Sequence, residues 1–299
     1  MRIKVVMSSI LLVMLSMGLQ SCEKKNDSDS IYCHITNCGY LNNAGLRVAS
    51  SSSETGNHYF YYADNGMIDC VVRSRKGGDE KFVFNATGDK ITYTYGEKEG
   101  LYSLIFDVSD NLTGVNYSIQ KGNDEKERGG ISFTYDETGH LETITSSVRL
   151  SDELFAISLT LLWKNNLVCQ IKYDATEMDH VGYNDEEMAR YNGTMSFSYD
   201  NPVFVNTYKQ LTPIIFTSFK GYGIEWDIFS CLGLLGEGPE LLPSSAKIEY
   251  EKYECTNHES DTFFDVFQYL FLNNNGPILH CSFADDSCYS FTYGYGKNR

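Results

Sequence analysis

Glu225-Trp226-Asp227 is the local constellation whose residue types could do chemistry. Two carboxylates beside an indole suit sugar hydrolysis, one as acid and the other as base or nucleophile, with the tryptophan stacked on a pyranose ring. In an extended segment, alternation would send Glu225 and Asp227 to the same face, about 7 Å apart. A solvated acidic edge has the same pattern, and Trp163 and Trp226 equally suit core or rim positions. The common nucleophile, metalloprotease and nucleotide signatures are absent from the sequence after its leader. A hydrolase using Glu225 and Asp227 is therefore the alternative reading, and a candidate binding site at Glu225, Trp226 and Asp227 the leading one.

No metal and no cofactor is expected. Cys33-His34-x3-Cys38 has zinc-ligand types but lacks the paired C-x2-C spacings of a convincing site. Asp185-Glu186-Glu187, Asp285-Asp286 and the turns at Asp64-Asn65 and Asp110-Asn111 offer hard oxygens, yet no twelve-residue calcium loop is present. Six histidines are scattered singly, a distribution that suits turns and surfaces.

These residues must be carried by some scaffold, and composition indicates which. The 299 residues include 22 Tyr and 17 Phe against 5 Pro, the residue types that suit pleated sheet. Net charge is −16, and more negative once a leader carrying Arg2 and Lys4 is removed. A phosphate-backbone binder is excluded on that balance, so nucleic acid is not an expected partner.

Arg2 and Lys4 precede an apolar run from Val5 to Gly18, a secretory signal too short to span a bilayer. Leu19-Gln20-Ser21-Cys22 follows and resembles a bacterial lipobox, so Cys22 is the expected site of lipidation and the membrane a partner through that anchor. The polar stretch Glu23–Ser30 reads as a tether. The expected organisation is a signal peptide over 1–21, anchor and tether over 22–57, and one β domain over 58–299. The location this implies is the outer membrane, facing the exterior or, failing that, the periplasm. The other eight cysteines permit either disulfides or buried thiols.

From residue 59 onward the chain returns repeatedly to one unit: an alternating run, a turn rich in Asp, Asn or Gly, and a second alternating run. The clearest copy runs from Ile131-Ser132-Phe133-Thr134-Tyr135 through Asp136-Glu137-Thr138-Gly139-His140 to Leu141-Glu142-Thr143-Ile144. Gly139 supplies the positive φ of a tight turn. The fold class expected is all-β, a long antiparallel meander of hairpins forming a curved sheet or barrel. Most strands read as five to seven residues. Between Phe204 and Ser245 the alternation lapses, and apolar, Gly- and Pro-punctuated runs indicate a short helical or loop insertion plugging one end.

The lipobox, the hairpins at Phe133–Asp136 and Phe197–Asp200, Asn201-Pro202, Leu211-Thr212-Pro213 and Leu241-Leu242-Pro243 together resemble an uncharacterised lipoprotein family of gut anaerobes described as having a porin-like fold. That resemblance implies fold and location but no activity. Spanning strands need about nine to eleven residues with an apolar outer stripe, so the short runs favour a barrel outside the bilayer, held by its lipid. The function expected is a non-catalytic cell-envelope module, binding a glycan or a protein or serving a structural role.

Overall fold

The computed structural model describes residues 46–53, 56–63, 67–75, 77–108, 111–122, 125–150, 153–181, 184–200, 204–205, 226–254, 257–271, 277–282 and 288–295. In chain order the strands are β1 (Leu46–Ser53), β2 (Gly56–Tyr62), β3 (Ile68–Arg75), β4 (Gly78–Phe84), β5 (Lys90–Tyr95), β6 (Lys98–Phe106), β7 (Leu112–Lys121), β8 (Glu125–Tyr135) and β9 (Leu141–Leu150). They continue with β10 (Glu153–Lys164), β11 (Leu167–Val181), β12 (Asn184–Ser198), β13 (Phe204–Val205), helix α1 (Trp226–Cys231), β14 (Leu241–Leu242), β15 (Ser245–Glu254), β16 (Asn257–Phe271), β17 (Pro277–Ser282) and β18 (Cys288–Tyr295).

All the pairings are antiparallel and follow chain order, with β12 pairing β15 across the insertion. β1 pairs β18, with Leu46 opposite Tyr295, and the meander closes into a barrel. The two-residue strands β13 and β14 form a separate small ladder. Alternation drives this arrangement. Along β5 the residues of Lys90–Tyr95 are in turn exposed and buried until the strand end, because successive side chains point to opposite faces.

A round barrel of this strand number would enclose an aqueous channel. Here the lumen is filled. Phe60, Val115, Ile144, Leu159, Ile171 and Met195, drawn from six strands, are fully buried and belong to one apolar cluster. Ile228, Phe229, Leu232 and Leu235 of the insertion join that cluster with exposures of 0 or 1%. The described part of the insertion, from Trp226 on, is thus a plug inside the barrel, at the end formed by the turns that follow β2, β4, β6, β8 and β10.

The outer wall carries charged and polar side chains interspersed with exposed apolar ones such as Leu101, Ile105 and Phe264. Lys81, Thr92, Thr94, Arg128, Thr145 and Lys172 face outward and are exposed, and Arg190 pairs with Asp174 at 2.9 Å while Lys247 pairs with Glu249 at 2.6 Å. A cation on a lipid-facing wall costs about 2–4 kcal/mol at the bilayer midplane, so this wall suits water.

Two expectations are corrected. Strands β7 to β12, β15 and β16 have 10 to 15 residues, so strand length does not argue against a bilayer location. The segment 22–57 is not tether throughout, because β1 begins at Leu46 and is a barrel strand.

Candidate functional site

The turn between β8 and β9 is built around Asp136. Its backbone N–H donates to the His140 carbonyl at 2.9 Å, and the Gly139 N–H donates back to the Asp136 carbonyl at 3.0 Å. Gly139 has φ 86°, the left-handed conformation that its position requires. The Asp136 carboxylate oxygen Oδ1 accepts from the Thr138 N–H, the Thr138 hydroxyl and the His140 N–H at 2.8, 2.6 and 2.9 Å. Burial alone would raise the carboxyl, but these hydrogen bonds and one from the imidazole outweigh it and hold the pKa to about 2.

Sister turns at the same end are closed in the same way without an imidazole. Asn85 caps its turn through Oδ1 to the Lys90 N–H at 3.0 Å, and Asp107 does so to the Asn111 N–H at 2.9 Å. His140 is therefore not needed to make the turn.

The imidazole is fixed from two sides. Nδ1 lies 2.7 Å from the Thr138 hydroxyl and 3.2 Å from Asp136 Oδ2. Because the Thr138 hydroxyl hydrogen is given to Asp136, its oxygen accepts from Nδ1–H, and the neutral ring carries its proton on Nδ1. The ring stacks on Trp163, with centroids 4.2 Å apart and planes 10° from parallel. Trp163 is fixed in turn by Nε1–H donating to the Leu141 carbonyl at 2.7 Å.

The adjoining turn between β10 and β11 holds Asn165 and Asn166 at φ 52° and 59°. Its Asn166 side chain donates to Glu240 Oε1 at 3.4 Å, and the Glu240 N–H donates to the Asn166 carbonyl at 3.3 Å. The insertion also reaches the first turn: a Cβ on Gly236 would lie 2.8 Å from the Gly139 carbonyl oxygen. Tyr135 ties the two together, its hydroxyl lying 2.8 Å from the Leu112 carbonyl and 3.3 Å from that of Leu234. Three segments thus bring an oriented imidazole, an indole, two amides and a carboxylate to the plug end.

A second polar cluster lies inside the barrel toward the other end. Arg73 and Glu80, on adjacent strands and directly opposite in register, form an ion pair with both side chains buried. Tyr93 donates its hydroxyl to Glu80 at 3.3 Å, Arg75 reaches the same carboxylate at 3.4 Å, and the Arg73 guanidinium lies 5.3 Å above the Phe82 ring. Glu127 is also on the lumen side, where burial pushes its carboxyl up against the opposing pull of Tyr117 and Lys98. Arg73, Glu80 and Tyr93 are packed and mutually satisfied, as an interior polar network must be.

Cys22 and Glu225 lie outside the described residues. Trp226 and Asp227 open α1, so the segment is helical and alternation does not govern their spacing. Asp136, Thr138, His140 and Trp163 are the residues that sequence reasoning missed as a group. The Asp-x-Thr-Gly-His turn was visible, but its approach to Trp163 depends on register between β9 and β10. Among the described residues no group of His, Cys, Asp and Glu could hold a metal ion, and Cys70 and Cys169 are free thiols.

No known family profile and no curated protein matches the chain. The structure is similar to that of a porin-like protein from Bacteroides vulgatus ATCC 8482, with TM-score 0.53 and 13% identity, covering 83% of this chain and 99% of the other. A porin-like protein from Bacteroides uniformis ATCC 8492 aligns at TM-score 0.48 and 10% identity, covering 87% and 99%. The first of these likenesses shows a shared porin-like fold.

Proposed function

We propose that the chain is a non-catalytic cell-envelope module, tethered to the outer membrane through a lipidated Cys22 and presenting its barrel to the exterior, where it binds glycan. The observation that carries this reading is the packed end of the barrel together with the charges on its wall. An apolar cluster joined by α1 packs one end of the lumen, and a wall bearing ion pairs such as Arg190 with Asp174 favours water over lipid. What remains for interaction is the surface, and the plug end gathers the side chains that hydrogen-bond sugars. The likeness to porin-like proteins is consistent with an envelope location.

Detergent phase partition tests the tether and the wall together. The lipidated chain should enter the detergent phase, and the Cys22→Ser chain should stay in the aqueous phase with a folded circular dichroism spectrum. Entry of folded Cys22→Ser protein into detergent would mean that the wall itself is membrane-embedded and would overturn the proposal.

A further inference from the structure

We infer that His140 is a ligand contact of a neutral-glycan site at the plug end, accepting a hydrogen bond from a sugar hydroxyl at Nε2. The inference rests on the binding-module reading above and assigns its site. With the proton on Nδ1, the Nε2 lone pair is an acceptor. Among the described residues nothing occupies Nε2, and the side chain retains 14% of its exposure. The ring has lost its rotational freedom to Asp136 and Trp163 before any ligand arrives, so binding costs little further side-chain entropy.

The turn alone does not explain the residue, since Lys90 and Asn111 end the sister turns. Asn165 and Asn166 in the next turn, with Glu240 hydrogen-bonded to Asn166, add amide and carboxylate groups at the same end of the barrel. An ionised Asp136 and the net charge of −16 disfavour acidic polymers and select neutral ones. No nucleophile or second carboxylate is placed against Nε2 among the described residues, which makes this a contact for binding rather than for bond cleavage.

Diethylpyrocarbonate reacts with an unprotonated imidazole nitrogen and reads the geometry directly. On the mature protein, peptide mapping should find His140 modified, and a panel of xylan, mannan, starch and mixed-linkage β-glucan should include one polymer that slows this modification at least fivefold. His140→Phe keeps a ring for Trp163 to stack on, so its unfolding midpoint should hold while affinity for that polymer falls at least tenfold. Asp136→Asn should keep the turn, as Asn85 does, but its amide would donate to Nδ1 and move the ring proton to Nε2. The 15N shifts of the imidazole would then exchange places, and affinity would fall. Unreactive His140, or unchanged polymer affinity in His140→Phe, overturns this inference while leaving the binding module standing. Failure of the intact protein to bind any polymer in the panel overturns the inference and the glycan reading with it.

Discussion

Tyr117 lies across Gly129 in the β7–β8 pair, its ring occupying the space where a side chain at 129 would stand. The same ring stacks on Tyr102 at 5.2 Å between centroids, so it has little room to retreat. Gly129→Ala should therefore destabilise the barrel by about 1–3 kcal/mol through overpacking. The urea midpoint measures this, and a midpoint equal to that of the parent would mean that Tyr117 moves freely.

Arg73 and Glu80 make a charge pair that neither partner tolerates losing. Glu80→Ala leaves Arg73 charged and buried, and should cost about 3–5 kcal/mol. Replacing both by leucine removes the desolvation penalty as well as the attraction, and should recover most of that loss. Denaturant melts of the two single variants and the double variant give the coupling. A double variant no better than Glu80→Ala would show that the wider network, including Tyr93 and Arg75, depends on these charges.

Two carboxyl groups titrate in opposite senses. Asp136 has a folded pKa of about 2, below its unfolded value, so its stabilisation is present at neutral pH and is lost as pH falls from about 4 toward 2. After allowance for solvent screening this amounts to roughly 1–2 kcal/mol. Glu127 has its folded pKa raised by burial, so the protein gains from its protonated form and loses stability as pH rises from the ordinary carboxylate value through the raised one. Glu127→Gln should therefore raise the thermal midpoint at pH 7 and change it little at pH 4. A variant less stable than the parent at pH 7 would show that the charge on Glu127 is favourable where it stands.

The parts of this fold that are legible in the sequence are those governed by neighbours in the chain. The hairpin from Ile131 to Ile144 declares its faces and its turn because alternation and Gly139 are local signals. The apolar residues of the insertion are too many to leave in water, and their number by itself implies a plug. Strand lengths are underestimated where glycine or an amide interrupts the pattern, as at Gly129-Gly130 in β8 and Asn192-Gly193 in β12. Barrel closure is illegible because β1 ends in a run of serines and its partner, β18, lies at the far end of the chain. The His140–Trp163 stack is hidden for a related reason: two rings meet only after the β9–β10 register is fixed.

The plug yields the last prediction. Helix α1 ends in a Schellman motif: Leu234 N–H donates to the Phe229 carbonyl at 2.9 Å, Gly233 N–H donates to that of Ser230 at 3.0 Å, and Gly233 has φ 73°. This cap turns the chain so that Leu232 and Leu235 follow Phe229 into the apolar cluster. Gly233→Ala meets the left-handed penalty and should cost about 1–2 kcal/mol. Phe229→Ala empties a fully buried ring site and should cost about 3–5 kcal/mol. A helix resting on the barrel rather than within it would lose far less on Phe229→Ala, because the vacated space would fill with water. Since Gly236 of the same segment sits against Gly139, the proposed glycan site should also be weakened in the Gly233→Ala protein at temperatures where it remains folded. Calorimetric unfolding and polymer affinity measured on one preparation test both statements, and a loss under about 1 kcal/mol for Phe229→Ala would place the helix outside the core.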